Sequence, residues 1–289
     1  MAQRLVSVWE TNLFLRGQQR VEVLDAAAEL EELGFHRIWF SAGWDAAVPA
    51  RFAEILSATQ RIGVAAGILS VWHATPAVSA AFTVAAEKAH PGRFLLGLGA
   101  SHAQLVEGVG EAYRKPYTKV VQYLDALDAV DQPVRPEQRI LAALGPRMLK
   151  LSAQRSLGAH PYFVPAEHTA QAREILGSGP LLAPEVAVVL DPDAETARAT
   201  ARQYMAGYLQ APNYAQNLRR LGYADADLDN GGSDRLVDAL VPWGDLDRVV
   251  AGVQEHYAAG ADEVALRVLT DDGAYPAETF RQLAGALIG

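Results

Sequence analysis

Cysteine is absent from the 289 residues, so disulfides, thiolate nucleophiles and cysteine-based metal sites are excluded together. No stretch approaches the roughly 20 uninterrupted apolar residues of a membrane-spanning helix. The opening residues Met1 to Leu5 run into a short apolar strand, with no export-signal core, so a soluble cytoplasmic chain is expected. Runs of Lys or Arg are also missing, and a formal net charge of −9 repels a phosphate backbone. Nucleic acid and membrane are therefore not expected as partners. The glycine-rich dinucleotide fingerprint is lacking too, because Val8-Trp9-Glu10-Thr11 stands where it would follow the first strand.

What is present is a chain with half its residues hydrophobic and a fifth charged, which is enough apolar surface for a large core and too little polarity for disorder. Apolar strand-like runs alternate with amphipathic segments of helical period. The runs are Arg4–Val8, Arg37–Phe40, Ile62–Ile68, Phe94–Leu98, Ile140–Ala143, Ala159–Val164, Glu185–Leu190 and Glu263–Val268. Helices are expected between them, at 21–33, 51–58, 76–89, 117–130, 146–154, 166–176 and 193–209, with a last one at 276–287. Short apolar strands separated by helices mean a parallel sheet, and eight such units favour a closed (β/α)8 (TIM) barrel over an open sheet. The α/β chain then forms a single barrel domain, 1–289, with an insertion before the last strand at about 210–245.

In such a barrel, chemistry sits where strands end and helices begin. That selects Trp9 and Glu10 after the first strand, Ser41 and Trp44 after the second, and Ser70, Val71, Trp72 and His73 after the third. It adds Gly99, Ser101 and His102 after the fourth, Gly145, Pro146 and Arg147 after the fifth, and Val164, Pro165 and His168 after the sixth. The set lacks the facing carboxylates that glycoside hydrolysis requires. His73 and His102 stand on separate loops without acidic neighbours, so no metal site is expected. Ser41, Ser70 and Ser101 lack a Gly-x-Ser-x-Gly elbow. A mouth rich in Trp, Gly and small residues suits a planar aromatic cofactor that carries the chemistry itself. Two helix starts could take its phosphate through free N–H groups, one at Gly145-Pro146-Arg147 and one at Val164-Pro165 leading to His168. Each also reads as a plain strand-to-helix turn.

Four segments carry a family resemblance: Leu33-Gly34-Phe35-His36-Arg37-Ile38-Trp39, Gly67 to Trp72, Pro91-Gly92-Arg93-Phe94-Leu95-Leu96-Gly97-Leu98-Gly99, and Ala143 to Arg147. In order and spacing they resemble luciferase-like monooxygenases, most closely the F420-dependent oxidoreductase branch of actinobacterial type. The resemblance implies a dimeric barrel using F420, or alternatively FMN, on a small organic substrate. It implies a non-proline cis peptide near Leu69–Val71, with Ser70–Val71 the first choice. It also implies cofactor contacts from Ser41, Ser70, Val71, Trp72, Gly99, Ser101, Gly145, Pro146, Arg147, Val164, Pro165 and His168, and substrate contacts from Trp9, Trp44 and His73.

A polyglutamate tail on F420 would want positive charge near the phosphate, and Arg147, Lys150 and Arg155 are the candidates. Many F420-dependent relatives carry a polar or acidic residue after the second strand, whereas Phe40-Ser41-Ala42-Gly43-Trp44 offers none beyond Ser41. Alcohol oxidation with a base at that point is therefore not expected. His102 and Glu10 are the candidates for handling a proton. His102 could equally hydrogen-bond the cofactor or serve the structure. A non-catalytic cofactor-binding homologue is the third reading.

Overall fold

The computed structural model describes residues 4–9, 20–41, 48–108 and 110–289. Ten parallel strands form one curled sheet. They are β1 (Leu5–Trp9), β2 (Arg37–Phe40), β3 (Gly63–Ala66), β4 (Leu69–Ser70), β5 (Phe94–Gly99), β6 (Arg139–Ala142), β7 (Gly158–His160), β8 (Leu181–Leu182), β9 (Glu185–Val188) and β10 (Glu263–Val268). Neighbours run β8-β7-β6-β5-β3-β2-β1-β10-β9, with β4 on β5. Pro184, which has no N–H to give, separates β8 from β9, while the flanking residues bind both sides. Ala183 and Glu185 donate to Ala159 and Pro161 at 2.9 Å each, and Ala265 donates to Pro184 at 2.9 Å. The sheet thus closes on itself as a TIM-like barrel.

The expected strands and helices occur, with end residues shifted by a few positions. A short helix, Ala103–Glu107, follows β5 and was not expected. Before the last strand the chain adds helices Pro212–Arg220, Asp225–Leu228, Asp234–Leu240 and Leu246–Ala258. Leu218, Leu236, Val237 and Leu240 of these bury against Met205, Val189 and Phe163, which fixes the added helices over one side of the barrel mouth. Inside the barrel, Trp39 fills space left by Ala65, Ala183 and Ala265.

The Gly-Arg-Phe-x-x-Gly-x-Gly segment has a physical explanation in packing. Gly92 turns the chain at φ +72°. Arg93 then donates to the carbonyls of Leu56, Thr59 and Ile62 at 2.9–3.0 Å, closing the C-terminal end of helix Val48–Ala58. A Cβ on Gly97 would stand 1.8 Å from the Ala66 carbonyl oxygen, and one on Gly99 would stand 2.8 Å from Ile68 Cδ1. These glycines let β5 pass the break between β3 and β4.

That break corrects one expectation, since the non-proline cis bond is Gly67–Ile68 and not Ser70–Val71. Gly67 fits there because a side chain would meet the Trp9 indole, 2.9 Å away. Ser70–Val71 instead continues the ladder, with Val71 N–H on Gly99 O at 3.0 Å.

Candidate active site

A cavity of about 480 Å³ opens at the C-terminal ends of the strands. Its floor is Trp9 from β1, Ser41 after β2, and Gly67, Ile68 and Ser70 at the break in the third strand. Ser101 and His102 form one wall, and the loop Ala143-Leu144-Gly145 another. His160 and Tyr162, at the end of β7, face Tyr208 and the added helix, which contributes Asn213, Tyr214, Gln216 and Arg220.

Of the residues selected by strand position, Trp9, Ser41, Ser70, Ser101, His102 and Gly145 are brought together around this cavity. Glu10 and Trp44 lie outside the described residues. The remainder stand behind the lining. Val71 and Gly99 belong to the ladder below it. Trp72 donates to Ala100 O at 2.9 Å and packs on Tyr113, which does line the cavity. His73, half-buried, has its imidazole held below the ordinary value by burial, partly offset by Glu111.

Pro146 and Arg147 begin helix Pro146–Arg155, and the Arg147 guanidinium lies 4.1 Å over the Tyr117 ring. Val164 and Pro165 are buried at the start of helix Ala166–Leu176. His168 of that helix donates from Nε2 to Leu144 O at 2.8 Å, so it steadies the loop that carries Gly145. Arg155 is engaged with Asp125 and Asp128, 2.9 Å from each, at the far end of its helix. It is thereby withdrawn as a partner for an acidic tail.

The Gly145 loop has the features of an anion cradle. Gly145 caps helix Pro146–Arg155, whose first N–H groups point outward at the positive end of the helix dipole. A Cβ at Gly145 would lie only 3.2 Å from Arg220 Nη1. Arg220 is held by Asn217 at 2.9 Å, and no carboxylate pairs with it among the described residues. Its charge therefore faces the cavity beside the helix start.

Two polar atoms facing the cavity, Trp9 Nε1 and His160 Nε2, lack partners among the described residues. His160 Nδ1 donates to Ala183 O at 2.6 Å, so Nε2 carries a lone pair. Burial pushes this imidazole down to about 4, against the opposing effect of the Ala183 bond, and it is neutral near pH 7. Its ring stacks on Trp39 at 4.1 Å. Such orphaned atoms are costly unless a bound group meets them. His102 bonds Asn213 Oδ1 at 3.3 Å and tilts against Tyr214; burial lowers its pKa, with the Asn213 bond opposing. Among the described residues no cluster of His, Asp and Glu could hold a metal ion, and no helix is long and apolar enough to cross a membrane.

Strand position alone did not select His160, Tyr162, Tyr208, Asn213 or Arg220. His160 read as strand interior because the apolar run continues to Val164, whereas β7 stops at His160. Pro161 directly after it was the available signal. The other four, Tyr162 excepted, come from helices roughly 50 or more residues further along, and no local pattern announces them.

The sequence profile of the luciferase-like monooxygenases matches residues 11–263. The chain belongs to that family. Luciferase-like proteins of this kind are flavin- or deazaflavin-dependent oxidoreductases, and this chain is one of them. It is 25% identical to a Mycobacterium tuberculosis protein provisionally named a coenzyme F420-dependent oxidoreductase, over 92% of this chain and 94% of that one. The fold superposes on the F420-dependent tetrahydromethanopterin reductase of Methanopyrus kandleri with a TM-score of 0.79 at 15% identity, covering 99% of each chain. It also superposes on the oxygenating constituent of 3,6-diketocamphane monooxygenase from Pseudomonas putida, with a TM-score of 0.67 at 15% identity, covering 98% and 96%.

Proposed function

We propose that this luciferase-like protein is an F420-dependent oxidoreductase that moves hydride between the deazaflavin and a small organic substrate. The observation that carries the reading is the Gly145 cradle, where a helix start and Arg220, paired with no carboxylate among the described residues, converge at the rim of a cavity rich in aromatic and small residues. A phosphate-bearing planar cofactor satisfies both ends of that cavity. Gly145 and Arg220 would hold its phosphate, and the Trp9 and His160 nitrogens would offer a donor and an acceptor to its ring. The name of the mycobacterial relative favours F420 over FMN. When bound, F420 supplies a hydride donor or acceptor that reacts poorly with oxygen. The protein binds and orients it and keeps water from the floor.

Fluorescence titration of the purified apoprotein with F420 and with FMN tests this. Binding of F420 about tenfold tighter or better supports the reading. Preference for FMN turns it toward a monooxygenase, which the shared phosphate site accommodates equally. Binding of neither leaves a homologue without the cofactor. We further propose a twofold homodimer as the working unit, the commonest soluble assembly and the one implied by the resemblance. Light scattering giving a mass near the 31.1 kDa of one chain would count against it.

A further inference from the structure

One side of the cavity is made by two phenols with a guanidinium behind them. Tyr162, after β7, and Tyr208, on helix Ala194–Leu209, both line the cavity, and their hydroxyl oxygens are 2.9 Å apart. Arg267 of β10 donates from Nη1 to Tyr162 and, at 3.3 Å, to Tyr208. No carboxylate forms an ion pair with Arg267 among the described residues. Glu185 faces it, but takes its hydrogen bonds from Tyr204 and the Phe163 N–H. A half-buried cation left in this way favours negative charge on the cavity side of the phenols.

The protons of the pair do not balance. Two O–H groups are available, and the bond between the phenols uses one of them. Neither phenol has a further acceptor among the described residues. Charge sets the direction of the bond between them. Arg267 binds the Tyr162 oxygen more closely than that of Tyr208, which makes Tyr162 the better donor and Tyr208 the better acceptor. Tyr208 then accepts from Tyr162 and from Arg267 and keeps its own O–H for the cavity, polarised by the two bonds behind it.

We propose that Tyr208, positioned by Tyr162 and Arg267, binds the oxygen of a carbonyl-bearing substrate and holds the negative charge that gathers there on reduction. The proposal rests on the hydride-transfer reading above and names its substrate class, an aldehyde or ketone. Hydride from a reduced deazaflavin or flavin forms a C–H bond at the carbonyl carbon, and the C=O π pair moves onto the oxygen. The Tyr208 O–H and the Arg267 charge stabilise that oxyanion. Water at the open mouth gives it a proton, which completes the alcohol. The Tyr162 ring packs on Trp9 with centroids 5.3 Å apart, so the pair stands beside the floor assigned to the cofactor ring.

The test uses the whole apoprotein and two probes of similar shape, 4-nitrophenolate at pH 8 and the neutral 4-nitroanisole. Inorganic phosphate in excess fills the Gly145 cradle, so that the phenolate reports on the other side of the cavity. Wild type should bind the phenolate at least about tenfold tighter than the ether. Tyr208→Phe should lose about tenfold in phenolate affinity and keep ether affinity within about twofold. Tyr162→Phe and Arg267→Gln should narrow the phenolate-to-ether ratio, and Arg267→Lys should restore part of it. The ratio is a readout that a merely structural role would not move, and unfolding midpoints show that each variant is folded. Equal affinity of wild type for the two probes, no phenolate binding, or an undiminished ratio in folded Tyr208→Phe overturns the proposal. Titration with F420 and FMN separates it from the reading on which it rests. Cofactor binding without phenolate preference rejects the oxyanion site alone, and phenolate preference in a protein that binds neither cofactor rejects hydride transfer alone.

Discussion

Two buried glutamates, each the first residue of its strand, sit beside an arginine and come out oppositely. At the base of the barrel, Glu263 accepts from Ser7 Oγ at 2.7 Å and Trp39 Nε1 at 2.8 Å, and Arg37 Nη1 lies 3.6 Å from its other oxygen. Burial pushes its carboxyl up, but Arg37, His36, Ser7 and Trp39 together hold it below the ordinary value. Two residues further up the sheet, the Arg267 guanidinium donates to Tyr162 and Tyr208, and Glu185 is left with one phenol and a 3.3 Å backbone N–H. Burial then dominates and its carboxyl rises to about 7. The difference is in the short donors that reach the carboxylate, two at Glu263 and one at Glu185. A carboxylate given two short donors and a nearby cation stays charged, whereas one with a single short donor against the same burial can exchange a proton near neutral pH.

Replacing each glutamate by glutamine should separate the two roles most sharply. Glu263→Gln leaves Arg37 beside a neutral group in the barrel and should cost about 3 kcal/mol in urea unfolding at pH 7. The folded carboxyl of Glu263 lies below its unfolded value, so its contribution is present above the unfolded pKa and is lost as acid takes pH through the folded one. Glu185 has the opposite sign. Its folded pKa is raised, so wild-type stability falls as pH climbs from the unfolded value toward about 7 and then levels. Glu185→Gln should flatten that slope and gain on the order of 2 kcal/mol over wild type at pH 8. Parallel pH–stability curves for the two variants would erase the distinction.

The mouth should also answer to binding where the base answers to folding. Gly145→Asp places a carboxylate within reach of Arg220, whose Nη1 would be 3.2 Å from the new Cβ, and adds like charge to the anion cradle. We expect cofactor affinity to fall at least about thirtyfold, ~2 kcal/mol, while the unfolding midpoint moves little. Arg220→Ala should lose about tenfold for the same reason. Full affinity in a folded Gly145→Asp protein would move the phosphate away from this helix.

The same contrast explains what the sequence could reveal. Strands such as Phe94–Gly99 and helices such as Pro76–Ala89 were legible because burial imposes period and Thr75-Pro76 caps the helix start. Ser70, Ser101, His102 and Gly145 were legible because the barrel rule places strand ends at one mouth. Arg267 and Glu185 lie within β10 and β9, where each reads as one polar residue in an apolar strand. Their proximity to Tyr162, Tyr204 and Tyr208 depends on two strands, the loop after β7 and helix Ala194–Leu209 meeting in space, which no local spacing encodes. The position of the cis bond failed for a related reason. It is set by the contact between Gly67 and Trp9, 58 residues apart in the chain, and only the folded barrel brings them together.

His102 belongs to the mouth by position and should show the smallest effect there. A proton donor working near pH 7 must be charged for part of the time, but burial lowers this imidazole below its ordinary value, and the Asn213 bond offsets that only in part. Neutral His102 with Nδ1–H on Asn213 Oδ1 instead links the strand-end loop to helix Pro212–Arg220, which also carries Arg220. His102→Ala should therefore weaken cofactor binding about threefold, under 1 kcal/mol, by loosening that helix. His102→Asn, which can still donate to Asn213, should recover most of the loss. Turnover at saturating cofactor should keep the pH profile of the wild type between pH 6 and 8 in both variants. Loss of a pH-dependent limb in His102→Ala, with affinity unchanged, would return His102 to the role of proton donor.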